Sequence, residues 1–127
     1  FALAIEPENL DALFAKGHSF ALLNNEEQAL QLYRKCLEKG YDKALTSYTC
    51  GVMETALGHY KEAISLLEYA YSVYGNMYIY SFSICFNLAL CYLETGDTKR
   101  AAEYYHCAFK IDPNDEGLTE LLSRIDK

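Results

Sequence analysis

The sequence predicts an all-α protein in which three helix-turn-helix units stack as a solenoid, and two patterns that recur in phase support this prediction. In the first pattern, an alanine is followed after four residues by an aromatic residue or leucine, and after three more by a small residue. The instances begin at Ala29, Ala63 and Ala101, which are offset by 34 and then 38 residues. In the second pattern, a small residue precedes a turn-forming residue by seven positions: Gly17 and Asn24, Gly51 and Gly58, Ala89 and Gly96. Such a period is typical of helical repeats, whose units cannot bury their apolar faces alone.

Each unit divides into two predicted helices joined by a short polar turn. Asn24, Gly58 and Gly96 mark the turns, because Gly and Asn tolerate the left-handed conformation that ends a helix. The predicted helices span residues 9–23 and 26–39, then 43–57 and 60–74, then 77–94 and 98–111. After Pro113, Asn114 or Asp115 can cap a last helix with an apolar stripe. That stripe consists of Leu118, Leu121, Leu122 and Ile125.

The third unit carries four extra residues, which lie within the segment 75–81. They equal about one helical turn, so we expect the first helix of the third unit to be one turn longer. Five tyrosines crowd the same region: Tyr69, Tyr71, Tyr74, Tyr78 and Tyr80. Tyrosine suits a contact surface because it combines apolar area with a hydroxyl, but the seams between repeats also use aromatic side chains. The sequence leaves both interpretations open.

These patterns resemble the tetratricopeptide repeat, and the resemblance is best between residues 85 and 113. There the family pattern is matched by Leu88, Ala89, Tyr92, Gly96, Asp97, Ala101, Tyr105, Ala108 and Pro113. The resemblance implies a right-handed α-α superhelix of three tetratricopeptide repeats plus a C-terminal capping helix, within one domain. The predicted divisions are the end of a truncated preceding repeat (1–8), three repeats (9–42, 43–76 and 77–113) and the capping helix (114–127).

Two charged residues stand where the family pattern has apolar ones. Lys16 occupies a position that is usually leucine, and Glu54 one that is usually aromatic. Because an isolated buried charge is costly, we expect these two side chains to form a partly buried ion pair between neighbouring first helices. The alternative is a local shift that turns both outward.

Composition excludes several classes of function. The chain has 11 Lys and Arg against 18 Asp and Glu and a net charge of −7, which argues against a nucleic-acid surface. It has no apolar stretch long enough to span a membrane and no signal peptide at its start, so we expect no membrane partner and a cytoplasmic location. The five cysteines form no C-x-x-C pair and fall at helix-core phases, which predicts buried thiols in place of disulfides.

An enzyme is not expected. The three histidines are scattered, and the sequence has no phosphate loop, zinc-protease motif or local signature of a catalytic Ser or Cys. We therefore predict no catalytic residues, no metal site and no cofactor.

The resemblance does imply a partner-binding groove, since the first helices of tetratricopeptide repeats line the concave face. Carried over by phase, the candidate groove residues are Asp11, Phe14, His18, Tyr48, Thr49, Val52, Phe86, Asn87, Leu90 and Glu94. One branch of the family clamps a carboxylate in this groove with cationic side chains, but the corresponding positions here hold Phe14, Ser83 and Asn87. The predicted groove therefore suits an apolar segment, with Phe14, Tyr48 and Phe86 as anchors.

The predicted function is thus a protein-interaction module that binds a partly apolar peptide or helix of a partner in its concave groove. One alternative is a scaffold segment of a larger repeat protein that assembles, or self-associates, through exposed repeat ends. Another is a type III secretion translocator chaperone, which three compact repeats and a short last helix also resemble.

Overall fold

The computed structural model describes residues 9–126, which form seven helices and contain no strand. The predicted end of a preceding repeat, residues 1–8, lies outside the described residues. The helices are α1 (Leu10–Leu22), α2 (Glu26–Glu38), α3 (Lys43–Ala56), α4 (Tyr60–Tyr74), α5 (Tyr78–Glu94), α6 (Thr98–Ile111) and α7 (Glu116–Ile125). The extra turn is confirmed, because α5 has 17 residues where α3 has 14.

The helices pack in chain order as a solenoid. Each helix contacts the next, and α5 also contacts α3 on one side and α7 on the other. The first helices of the second and third repeats, α3 and α5, therefore lie side by side, and α7 covers the end of the third repeat. This arrangement confirms the all-α helical repeat solenoid with a capping helix.

The turns between paired helices have the predicted left-handed residues. Asn24 has φ 62°, Gly58 has φ 82° and Gly96 has φ 91°. Side-chain caps define several helix starts, and Asp115 is the cap of α7, where its carboxylate accepts the Gly117 N–H at 2.8 Å. Local turn chemistry thus sets the length of each helix, as the sequence predicts.

The small residues of both patterns lie in the seams between helices. Ala29, Ala63, Ala89 and Ala101 are fully buried, and the aromatic or leucine partner of each second helix packs beside them. Four cysteines, Cys36, Cys50, Cys85 and Cys91, are also buried; Cys107 is half-buried, and none of the five forms a disulfide. The prediction of small core cysteines without disulfides is confirmed for these four, whereas Cys107 is not fully in the core.

Burial of tyrosines and cysteines predicts a loss of stability at alkaline pH. Burial raises the pKa of Tyr33 and of Cys50 to about 12 each. The same cause raises the pKa of Tyr71, Cys85 and Tyr92 to about 12. In the unfolded chain these groups have their ordinary pKa values, about 9 for Cys and about 10 for Tyr. The folded protein therefore keeps their protons to a higher pH than the unfolded chain does.

The resulting stabilisation is complete below about pH 9 and is lost as the pH rises toward about 12. We expect the free energy of unfolding in urea to be steady up to about pH 8.5 and to fall steeply by about pH 11. Tyr33→Phe removes one titrating group and should make that fall shallower. A stability that is constant across the alkaline range would contradict this assignment.

Candidate partner-binding groove

The predicted groove residues of α1 are not equivalent in the structure. Phe14 is only 8% exposed, and its ring packs 5.3 Å, centroid to centroid, from each of Tyr33 and Tyr41. Asp11 is exposed and accepts a hydrogen bond from the Tyr41 hydroxyl at 2.6 Å. His18 is exposed, with its Nδ1 2.8 Å from the Tyr33 hydroxyl. Phe14 is therefore a core residue beneath this surface, and Asp11 and His18 are the α1 side chains that a partner could reach.

The three predicted groove residues of α3 are half-buried, and two of them, Tyr48 and Val52, pack toward the third repeat. Tyr48 packs edge-on against Tyr80 with ring centroids 5.3 Å apart. Val52 packs against the cluster of apolar residues shared by α4 and α5. The Thr49 hydroxyl donates to the Leu45 carbonyl of its own helix at 2.9 Å. These residues offer an apolar surface with one polar interruption.

The α5 residues continue that surface but are partly covered by α7. Phe86 stacks on Phe82, and a Cβ added at Gly117 of α7 would lie 3.2 Å from the Phe86 ring. Asn87 donates to the Ser83 carbonyl at 2.8 Å, and Leu90 is half-buried. Phe86 is thus partly a support for the capping helix, and Leu90 is the other apolar candidate on α5.

Glu94 marks the far end of the predicted groove, and its charge is already engaged. Its carboxylate forms an ion pair with Arg124 of α7. Asp11 at the other end is held by Tyr41, as described above. The stretch between these ends, from His18 through Tyr48 and Val52 to Leu90, carries no carboxylate among the candidate residues. The two carboxylates among the ten candidates therefore stand on α1 and at the end of α5, and both are already engaged.

The expected ion pair between Lys16 and Glu54 is wrong. The Glu54 side chain is 3% exposed, and its two oxygens lie 2.6 Å from Arg34 Nη2 and 2.7 Å from His59 Nδ1. Lys16 is exposed on α1. Arg34 extends from α2 to satisfy the buried carboxylate, because its long side chain can reach inward from a half-exposed position.

The tyrosine-rich region divides between the two interpretations. Tyr74 stacks on Tyr80 with centroids 4.4 Å apart, and the Tyr71 ring packs edge-on against Tyr104, so these rings belong to the repeat seam. Tyr69 and Tyr78 are exposed instead. The sequence alone did not indicate which of these tyrosines face solvent and which pack in the seam.

None of the helices that the structure describes is both long enough and apolar enough to cross a bilayer. The same residues include no cluster of three or more His, Cys, Asp or Glu side chains that could hold a metal ion.

The helical repeats, their seams and the capping helix define a class of solenoid proteins, and comparison with known proteins identifies the family. Two models of the tetratricopeptide repeat match the chain, one over residues 82–115 and one over residues 10–38. The chain is a tetratricopeptide repeat protein. This fold is one of protein–protein interaction.

A curated relative is the Photosystem I assembly protein Ycf3 of Acaryochloris marina (strain MBIC 11017), which is 30% identical over 76 residues. That match takes in 60% of this chain and 41% of the relative, so the chain spans less than half of that protein's length.

Several solved structures share the fold. MamA from Desulfovibrio magneticus RS-1 superposes with a TM-score of 0.80 at 20% identity, covering 93% of this chain and 67% of that one. The first tetratricopeptide repeat domain of Spaghetti, bound to an HSP90 peptide, gives a TM-score of 0.77 at 15% identity, with 92% and 90% covered. PcrH of Pseudomonas aeruginosa has a TM-score of 0.67 at 20% identity, with 96% and 92% covered. At these identities the likeness concerns the fold.

Proposed function

We propose that this protein binds a partly apolar peptide or helix of a partner protein along the first helices α1, α3 and α5. The observation that carries the proposal is the apolar, partly accessible surface between Tyr48, Val52 and Leu90, in which no candidate residue is a carboxylate. Solved neighbours such as the Spaghetti domain hold a peptide, which supports a peptide as the kind of partner. The cytoplasmic location remains a prediction.

The chemistry of this surface favours an apolar ligand over a carboxylate terminus. Clamping a carboxylate needs charge-assisted donors, and the candidate residues offer Asn87 and His18 but no Lys or Arg. Binding should therefore depend weakly on salt, since apolar contacts are not screened. Tyr48 and Leu90 would act as the anchors, because Phe14 is buried and Phe86 is partly covered.

Truncating the two accessible anchors is the direct test. Peptides of about 12 residues, selected on the wild-type protein from a random display library, serve as probes, and dissociation constants come from fluorescence anisotropy. We expect Tyr48→Ala and Leu90→Ala each to weaken binding by about 1–3 kcal/mol, as truncated anchors do. The matched control is Phe109→Ala, an exposed aromatic residue on the second helix α6, which should leave affinity unchanged.

Circular dichroism must show unchanged helical content in all variants. Full affinity in the Tyr48→Ala/Leu90→Ala double variant would refute binding at this surface. If Leu122→Glu then abolished association, the alternative of assembly through the end face of α7 would be favoured, because Leu122 is 37% exposed there.

A further inference from the structure

The corner between α4 and α5 exposes a contiguous group of large apolar side chains. Val73 and Met77 are each 47% exposed, Tyr78 is 77% exposed and Ile79 is 78% exposed. We call these four residues the corner patch. Tyr78 and Ile79 are the first two residues of α5, so they belong to the extra turn that α3 lacks. Neither of these two side chains is buried in the solenoid, and exposed apolar surface of this kind commonly marks an interaction site.

Two clefts flank α4, and the second of them is lined by Tyr78 of the corner patch. The first has a volume of about 370 Å³ and lies between the end of α2, the start of α3 and α4, with Leu37, Leu66 and Tyr69 as its apolar walls. The second has a volume of about 250 Å³ and lies between the end of α4, the start of α5 and α6, with Tyr71, Tyr78 and Ile111 as its apolar walls. Both clefts are built from the same parts of successive repeats, and α4 separates them.

Each cleft is lined by one lysine, Lys43 in the first and Lys110 in the second, and by no carboxylate among its lining residues. The Lys43 ammonium lies 4.6 Å from the Tyr69 ring centroid, which holds the cation beside the apolar wall. The neighbouring Asp42 carboxylate is engaged in capping α3, where it accepts the Leu45 N–H. In a chain with 18 acidic and 11 basic residues, two clefts whose charged lining residues are all cations are a local exception.

We propose that this edge binds an acidic amphipathic helix of a partner protein, whose apolar side chains enter the two clefts and whose carboxylates meet Lys43 and Lys110. A helix with its side chains is about 10–12 Å across, and α4 lies between the clefts, so a partner helix must span at least about that distance to reach both. Seven residues of a partner helix rise about 10.5 Å, which places side chains at positions i and i+7 over the two clefts. The corner patch flanks the second cleft and extends the apolar contact. This edge is formed by helix ends and by α4, so the proposal does not depend on the groove of α1, α3 and α5.

A selection experiment tests the partner chemistry. The probe is a display library of helices of about 18 residues with Leu, Ile or Phe along one face and Asp, Glu, Lys, Arg, Ser or Gln elsewhere. Helices are selected for binding to the wild-type protein, and those that also bind the variant Tyr78→Ser/Ile79→Ser are then removed. The helices that remain are the ones whose binding needs the corner patch. We expect the surviving helices to be enriched in Asp and Glu and to carry apolar residues seven positions apart.

Matched variants then locate the binding. For synthesised survivors, the charge reversal Lys43→Glu/Lys110→Glu should raise the dissociation constant about tenfold or more, and added salt should do the same in the wild type. The control Leu22→Ser/Leu23→Ser removes equally exposed apolar residues, 85% and 70% exposed, from the α1–α2 turn and should change nothing. Because all these residues are on the surface, thermal unfolding should be unaffected.

Three outcomes would overturn the proposal. One is that no helix survives depletion on the corner variant, and another is that the survivors are rich in Lys and Arg. The third is that sedimentation shows a wild-type dimer which Tyr78→Ser/Ile79→Ser converts to monomer, because a second copy of this chain would then be the occupant of the edge.

Discussion

Gly51→Ala is expected to destabilise the protein by about 1–3 kcal/mol, although alanine is the better helix former by about 1 kcal/mol. A Cβ at Gly51 would lie 2.6 Å from Leu67 Cγ and 2.7 Å from its Cδ2. Leu67 is fully buried between α3, α4 and α5, so it cannot move aside without displacing its neighbours. Urea denaturation of the variant measures the cost.

The same clash can be relieved to check its cause. Leu67→Ala alone should cost about 2–5 kcal/mol through the cavity it leaves. In that background Gly51→Ala should become neutral or stabilising by up to about 1 kcal/mol, since the added methyl meets empty space and the helix propensity improves. If Gly51→Ala is neutral in the wild-type background, the close approach of α3 and α4 is not what fixes this glycine.

These seams explain why the fold was predictable from the sequence. A helix pair can approach closely only where side chains are small, so the positions of Gly17, Gly51 and Ala89 report packing as well as local propensity. Turn residues with left-handed backbone at Asn24, Gly58 and Gly96 fix where each helix stops. Both kinds of signal are local and repeat in phase, which is why the helix ends fall within one residue of the predicted ones.

Side-chain partners were harder to predict, because the position of a residue in the helical period indicates which way its side chain points but not which other side chains lie within reach. Phe14 has the phase of an exposed anchor, but Tyr41, from the α2–α3 connection, packs over its ring. Glu54 was paired with the other misfit, Lys16, whereas its partner Arg34 sits at an ordinary surface position of α2. One feature of the sequence pointed to the clefts beside α4, namely the change of the repeat period from 34 to 38 residues and the tyrosines found there. Lys43 and Lys110, which line the clefts, are far apart in the chain.

Removing both partners of the buried Glu54 carboxylate should have the largest effect on stability. We expect Arg34→Met/His59→Leu to lower the free energy of unfolding by about 3–5 kcal/mol, because the carboxylate, 3% exposed, would be left without a cation or donor. The partners themselves are about half exposed, so losing their packing is the smaller part of the change. Urea denaturation near neutral pH is the measurement.

Rescue separates an uncompensated charge from a simple loss of contacts. Adding Glu54→Leu to the Arg34→Met/His59→Leu background should restore most of the lost stability, since an apolar side chain of similar size suits the site once its partners are gone. Lys16→Met should be additive with Glu54→Leu within about 0.5 kcal/mol, whereas Arg34→Met should couple with it by more than that. Two results would show that the Glu54 carboxylate is held in another way. One is an energetic coupling between Glu54 and Lys16, and the other is an Arg34→Met/His59→Leu variant that is as stable as the wild type. The expected pattern would instead mean that Arg34, reaching across from α2, allows an acidic residue at a position where the repeat otherwise needs an aromatic one.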